Sequence, residues 1–398
     1  MDSITLYTEE IDDLREAVEE LADQLEDFHF CEHSLGILYI EEDTEYDDLY
    51  ALLSDRFDFP IVGCTAMAML LGKQGFRGMG IGMMILTADD CEFSAGMTGE
   101  LDVGNYREEI ARTFREIRAG LTTDPKLVLT FGGAALNDRS VSGDDLMDAI
   151  DACGKGVPIF GTQASDSFTL DKIRVHCNGR IVRNGQALVL VSGNIDPRFV
   201  TNNSVENHSM SSYVVTESKS NHLMRLGDCT FVEMLQREDM ASDKENVLAD
   251  YILSPFVLMV NRPNGDRVEI ARTLSRLDLK NGSGVFLGAV PEGAVLSIGL
   301  NSRADVQKSV DKTFEEVFRI LKENGNRYHT LLCSSCTARF FALAGNAEAE
   351  AMTYVNRLPE GVSLLGMYGN GEYCPVVGDK SREIYNFFHN FTFAIMVI

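Results

Sequence analysis

An arginine and a glutamate held in one pocket are the complement of an amino-acid zwitterion. The guanidinium forks onto the carboxylate, and the glutamate takes the ammonium. Arg339 and Glu372 fit that description. Arg339 closes the run Cys333-Ser-Ser335-Cys336-Thr-Ala-Arg339, and Glu372 closes Gly366-Met-Tyr368-Gly-Asn370-Gly371-Glu372. The glycines of the second run let the backbone approach a ligand closely, and Tyr368 offers an apolar wall with a polar tip. The same two charges could instead pair with each other and pin two loops together. The residues alone leave both readings open.

Other chemistries find less support. The Cys333/Cys336 pair suggests redox or metal chemistry, but a reactive dithiol needs its first cysteine at an exposed helix N-terminus, and Cys333 falls inside a predicted strand. A zinc site needs two further ligands, and Cys374, His329 and His389 bring no supporting second pair. An enzyme using Cys336 as nucleophile, oriented by Arg339 with Glu372 as general acid or base, is the rival reading. The acidic run Glu41–Asp48 lacks the alternation and the glycine of a calcium loop and reads as a solvated helix start. GMGIG at 78–82 leads into a strand, so it is no dinucleotide fingerprint. Neither a phosphate loop nor a G-x-S-x-G elbow is present, and the seven histidines are scattered. No catalytic residue, metal site or cofactor is expected.

The elements that must position Arg339 and Glu372 come from an internal repeat. Phe93–Val103 (FSAGMTGELDV) aligns without a gap on Leu296–Val306 (LSIGLNSRADV), and the same offset of 203 carries helix onto helix and strand onto strand. Asp102 and Asp305 are placed to cap the two helices. The helix stripes are Tyr106, Ile110, Phe114, Ile117 and Leu121 in one, and Val306, Val310, Phe314, Val317 and Leu321 in the other. KLVLTFGGA at 126–134 matches YHTLLCSSC. VPIFGTQASD, breaking at Gly161, matches VSLLGMYGNGEY, and ALVLVSG matches FTFAIMVI. LGILYI followed by PIVGCTA, turning at Gly63, is a third, shorter echo. An acidic helix is expected over Thr8–Phe28, and a hairpin where YVVTES and HLMRL flank KSN. The fold class that follows is α/β: two related modules with mixed, largely buried sheets flanked by helices. The expected organisation is an acidic N-terminal helical segment over 1–33, a first domain over 34–225 and a second over 226–398. The copies differ most at the post-strand loops, bland in the first and rich in functional groups in the second.

The net charge of −26 is localised: residues 1–60 hold 20 Asp and Glu against Arg15 and Arg56. A nucleic-acid partner is not expected without a concentrated basic surface, and an anionic membrane surface would repel the chain. No secretory signal opens the sequence and the apolar runs are too short to span a bilayer, so no membrane insertion is expected. Nine cysteines without a framework fit a reducing cytoplasm.

PIVGCTA, LVLTFGGAALND, PIFGTQASD, SCTAR at 335–339, and GMYGNGEYCP with NFFHNFTF beyond it together resemble the FIST family, which pairs an N-terminal and a C-terminal FIST domain. The resemblance runs from about Ser34 to the C-terminus. It implies an intracellular signal-input protein that senses a small ligand, amino acids being the usual proposal, and it places the ligand region on Ser335, Cys336, Arg339, Tyr368, Gly371 and Glu372, with Asn370 between them. Where the family has Gly-Glu this chain has Ala68-Met69, so the first glycine turn is expected to have lost any ligand role. No kinase, cyclase, methyl-accepting region or F-box is attached, so the output partner is expected to be a separate protein. An interaction scaffold whose acidic N-terminal helix docks a basic partner is a third reading.

Overall fold

The computed structural model describes residues 1–133, 141–167, 169–205, 207–262, 264–324 and 327–398. Its strands form three six-stranded sheets that repeat one topology, and a fourth sheet carried by an insertion. The first unit runs β1 (Asp2–Thr8), α1 (Leu14–Asp23), β2 (His33–Ile40), α2 (Tyr46–Arg56), β3 (Ile61–Thr65), a hairpin of β4 (Met69–Leu71) and β5 (Gly75–Arg77), and β6 (Ile81–Ala88). The second repeats that order as β7 (Cys91–Met97), α3 (Tyr106–Arg118), β8 (Pro125–Gly132), α4 (Gly143–Cys153), β9 (Ile159–Gln163), β10 (Val175–Cys177), β11 (Arg180–Val182) and β12 (Gln186–Gly193).

The third unit opens with β13 (Arg198–Asn203) and is then interrupted. The insertion holds β14 (Asn207–Lys219), β15 (His222–Leu226), β16 (Cys229–Thr230), α5 (Phe231–Arg237), β17 (Phe256–Asn261), β18 (Arg267–Arg272), β19 (Leu274–Asp278), β20 (Ser283–Phe286) and β21 (Val295–Leu300). The unit resumes with α6 (Arg303–Glu323), β22 (Thr330–Cys336), the short helices α7 (Thr337–Ala342) and α8 (Ala349–Met352), and β23 (Ser363–Gly369). It closes with the hairpin β24 (Glu372–Val377) and β25 (Ile384–His389), and β26 (Thr392–Val397).

The three sheets read β1-β6-β2-β3-β10-β11, β7-β12-β8-β9-β24-β25 and β13-β26-β22-β23-β4-β5. In each, the central pair is parallel and the remaining pairs are antiparallel. The hairpin that leaves each unit completes the sheet of another: β4–β5 joins the third sheet, β10–β11 the first and β24–β25 the second. The two related modules expected from the repeat are the second and third units, and the shorter echo is a complete third copy.

Side-chain alternation along the strands builds two kinds of core. Leu35, Ile37 and Tyr39 of β2, Leu127, Leu129 and Phe131 of β8, and Leu332 of β22 share one central cluster. The intervening residues turn outward under each unit's own helices: Leu38 and Ile40 beneath α1 and α2, Val128 beneath α3 and α4, Leu331 and Cys333 beneath α6. Strands buried on both faces carry near-continuous apolar runs, and these do.

Several expected turns are strands instead. Gly63, Gly161 and Gly366 sit at one equivalent place in the parallel pairs, opposite Leu38, Thr130 and Cys333. A Cβ at Gly63 or Gly161 would stand 1.8 Å from the carbonyl oxygen of Leu38 or Thr130, and one at Gly366 would stand 1.9 Å from Cys333 Sγ. Glycine is required there for close strand approach, not for a bend. The expected acidic helix is confined to Leu14–Asp23, and residues 1–33 also supply the edge strand β1. Both helix stripes are buried as expected. The caps differ: Ser302, not Asp305, caps α6, its hydroxyl accepting from Asp305 N at 3.2 Å. Asp102 shapes the turn before α3 by accepting from Gly104 N at 2.7 Å. The strand half of the aligned repeat also separates, because β7 lies in the second unit's sheet whereas β21 belongs to the insertion; the counterpart of β7 is β13.

Candidate functional site

Parallel β22 and β23 end side by side, with Cys336 opposite Gly369. Residues around these ends part to opposite faces of the sheet, and with them the expected site divides in two.

Ser335 turns outward. Arg339, fully buried, reaches the same place from α7 and meets Glu350 of α8, with Nη2 at 2.8 Å and Nε at 2.9 Å from Oε1. Ser335 Oγ donates to Glu350 Oε2 at 2.8 Å and accepts from Arg339 Nε at 3.2 Å. The guanidinium also donates to Ser309 Oγ at 2.9 Å and to the carbonyls of Phe391 and Val306, both at 3.4 Å. The ring of Phe393 lies below it, 5.4 Å away. Tyr368, equally buried, packs edge-on against Phe340 at 5.3 Å. The partner of Arg339 is therefore Glu350, not Glu372, and a guanidinium so fully engaged offers no fork to a zwitterion.

Cys336, Asn370 and Glu372 lie on the other side. A cavity of about 180 Å³ opens there, with Cys336, Thr337, Ala338 and Asn370 as floor. Leu248, Ala249, Ile252 and Thr273 of the insertion, with Leu287 beyond β20, form the roof. Asn370 spans two units: its Nδ2 donates to the Ala164 carbonyl at 2.8 Å and its Oδ1 accepts from Thr337 Oγ1 at 3.1 Å. The roof is anchored by buried Arg272, whose Nη2 meets both carboxylate oxygens of Asp144 at 3.0 Å and whose Nε donates to the Ala289 carbonyl at 2.9 Å. Leu170 borders the cavity with φ 59°. The buried Asp166 carboxylate holds that loop, accepting from Leu170 N at 3.0 Å and Lys172 N at 3.1 Å.

Glu372 is buried behind this floor, on β24 and so within the second unit's sheet. Its Oε2 accepts from Thr392 Oγ1 at 2.6 Å. Among the described residues, Oε1 takes no hydrogen bond from nitrogen or oxygen, and the Cys336 thiol is a polar neighbour. Burial pushes this carboxyl up to about 8, against the pull of Thr392 and Arg339, so it holds a proton at neutral pH. Gly371 leaves room for Phe388, whose ring a Cβ would meet at 2.2 Å.

Burial, with Glu372 adding to it, raises the Cys336 thiol well above its ordinary range, and burial raises Cys333 as well. That is the reverse of what an attacking thiolate needs. The acidic run at Glu41–Asp43 faces Lys172, whose ammonium stands 2.5 Å from Asp43 and 3.5 Å from Glu42, so a side chain supplies the cation there. Of the bland turn expected after the first-copy strand, GGAALND at 132–138, residues 134–138 lie outside the described residues. Glu350 and the roof were not singled out from sequence. A glutamate flanked by Ala349 and Ala351, four residues before Tyr354 on one helical face, is the signal that marks Glu350 as buried and paired.

Three α/β units are thus arranged round a shared core, with a cavity at the carboxyl ends of the parallel pair β22 and β23. The chain belongs to the FIST family: the FIST N domain matches residues 34–228 and the FIST C domain residues 232–375. FIST domains are associated with sensory and signal-transduction proteins. None of the curated proteins compared with the chain matches it. Among solved structures, a cyanuric acid hydrolase is similar at 8% identity over 76% of this chain and 99% of that one, with a TM-score of 0.30, too slight a likeness to bear on chemistry. Among the described residues no helix is long and apolar enough to cross a membrane.

Proposed function

We propose that this chain is a cytoplasmic sensory protein that holds a small molecule between the insertion and the strand ends of the third unit, and passes its bound state to a separate output protein. The cavity carries the reading: it lies where ligands gather in open α/β sheets, and its floor presents thiol, hydroxyl and amide groups against an apolar roof. Its volume of about 180 Å³ suits a molecule of amino-acid size, since an apolar cavity of roughly 150 Å³ takes benzene. With Arg339 committed to Glu350, the polar contacts of such a ligand fall to Asn370, Thr337 and Cys336. This favours hydroxyl or amide groups over a free carboxylate, so amino-acid amides stand beside amino acids as the first compounds to screen. The buried, protonated thiol of Cys336 supports binding rather than nucleophilic chemistry.

A thermal-shift screen tests this, because a ligand at 100 times its Kd stabilises the native state by about 2.7 kcal/mol. Ala249→Trp, which fills the roof, and Asn370→Leu, which strips the floor, are each expected to abolish the shift. If no compound gives a shift sensitive to both variants, the cavity is not a ligand site.

A further inference from the structure

The three units share a scaffold, so a property of one outer helix that its counterparts lack is not required by the fold. Helix α1 carries Arg15 against four carboxylates. Its counterpart α3 carries four arginines against three glutamates, and α6 carries five positive against five negative side chains. Beside the C-terminal end of α1, where the helix dipole adds negative potential and the last turn of the helix holds no basic residue, lies a groove of about 690 Å³. Its wall is aromatic. Phe30, 45% exposed, stands edge-on to Phe28 at 5.3 Å and against Phe59 at 5.8 Å, and Phe59 stacks on Phe57 at 5.2 Å. Glu26, Glu32 and Asp58 line it as exposed side chains. No hydrogen bond or ion pair engages their carboxylates among the described residues, although Arg56 shares the groove. A second depression of about 340 Å³ adjoins it across Glu26 and is bordered by Asp23 and Asp27.

An exposed phenylalanine set among unpaired carboxylates calls for an apolar contact and positive charge together. We propose that this groove docks a basic amphipathic segment of a partner protein. An apolar side chain of the segment packs against Phe30 and Phe59, and its lysines or arginines lie along Glu26, Glu32 and Asp58. That such a partner is the output protein rests on the sensory reading above. The docking itself does not, and its test contains no cavity ligand.

The test is fluorescence anisotropy of the full-length protein at low salt with a labelled 14-residue amphipathic peptide of lysine and leucine. A lysine–serine peptide of equal charge and a glutamate–leucine peptide serve as controls. Saturable binding of the lysine–leucine peptide is expected, with the lysine–serine peptide at least about tenfold weaker, a loss of roughly 1.4 kcal/mol. Phe30→Ser, and separately the combined Glu26→Gln, Glu32→Gln and Asp58→Asn, are each expected to weaken it about tenfold, the latter also flattening the salt dependence. Neutralising Asp47, Asp48 and Asp55 on the outer side of α2 should leave affinity within about twofold. All of these residues are exposed, so melting temperatures should barely move. The proposal is overturned by absence of saturable binding, by equal binding of the lysine–serine peptide, or by unchanged affinity in either groove variant.

Discussion

Ser335 and Cys336 are consecutive in the chain yet open onto two different environments. On the Ser335 side every charge is matched: Arg339 meets Glu350, and hydroxyls and carbonyls take up the remaining N–H groups. On the Cys336 side the floor groups Cys336, Thr337 and Asn370 carry no charge, Glu372 behind them is protonated at neutral pH, and among the described residues one of its carboxyl oxygens has no nitrogen or oxygen donor. The charged residues fasten the strand ends, and the neutral ones face the space a ligand could fill. Charge in a loop motif thus does not say which face of a strand its residues serve.

The contrast can be broken most severely at Arg339. Removing it leaves Glu350 buried and unpaired, so Arg339→Ala should lose about 3–5 kcal/mol in urea denaturation. The apolar pair Arg339→Met with Glu350→Leu should recover most of that. A single variant within about 1 kcal/mol of wild type would show that the fastening side is no different from the cavity side.

Glu372 provides the next largest effect. Its carboxyl is raised from 4.5 to about 8, so between those values the folded state keeps a proton that the unfolded state releases. Stability therefore falls as pH rises through that window and levels off above it, with a slope approaching about 1.4 kcal/mol per pH unit. Glu372→Gln should remove that component of the pH profile, and parallel profiles for the two proteins would refute a protonated Glu372. Asn370→Leu leaves the Ala164 carbonyl and the Thr337 hydroxyl without their partner and should reduce stability by about 1–3 kcal/mol. Ala249→Trp, at an exposed roof position, should change stability by less than about 0.5 kcal/mol while removing any ligand-induced thermal shift. A shift that survives it would place the ligand elsewhere.

Helix stripes, the buried strands and the third echo were legible because each follows from spacing within one segment. The close-packed glycines were visible as residues but not as strand contacts, since the reason for each lies on the neighbouring strand: Leu38, Thr130 or Cys333. Arg339 stands out in the sequence by its charge, but its partner does not, because Glu350 reads as plain surface unless its apolar flanks are weighed. The exchanged hairpins could not be read at all. Met69–Leu71 pairs with Leu365–Met367, and nothing in three apolar residues says that their partner lies almost 300 positions away.

That exchange has a consequence for how the protein is made. β4 is fully buried in the finished molecule, yet the β23 strand it pairs with is synthesised almost 300 residues later. At roughly 5–20 residues per second, an apolar hairpin with an unsatisfied edge waits on the order of 15–60 s for its place. β10, with β11 beside it, finds β3 already synthesised, whereas β9 waits for β24. The nascent chain is therefore a sticky object while the residues between β4 and β23 are made, and its yield in a cell should depend on chaperone supply more than its final stability would suggest.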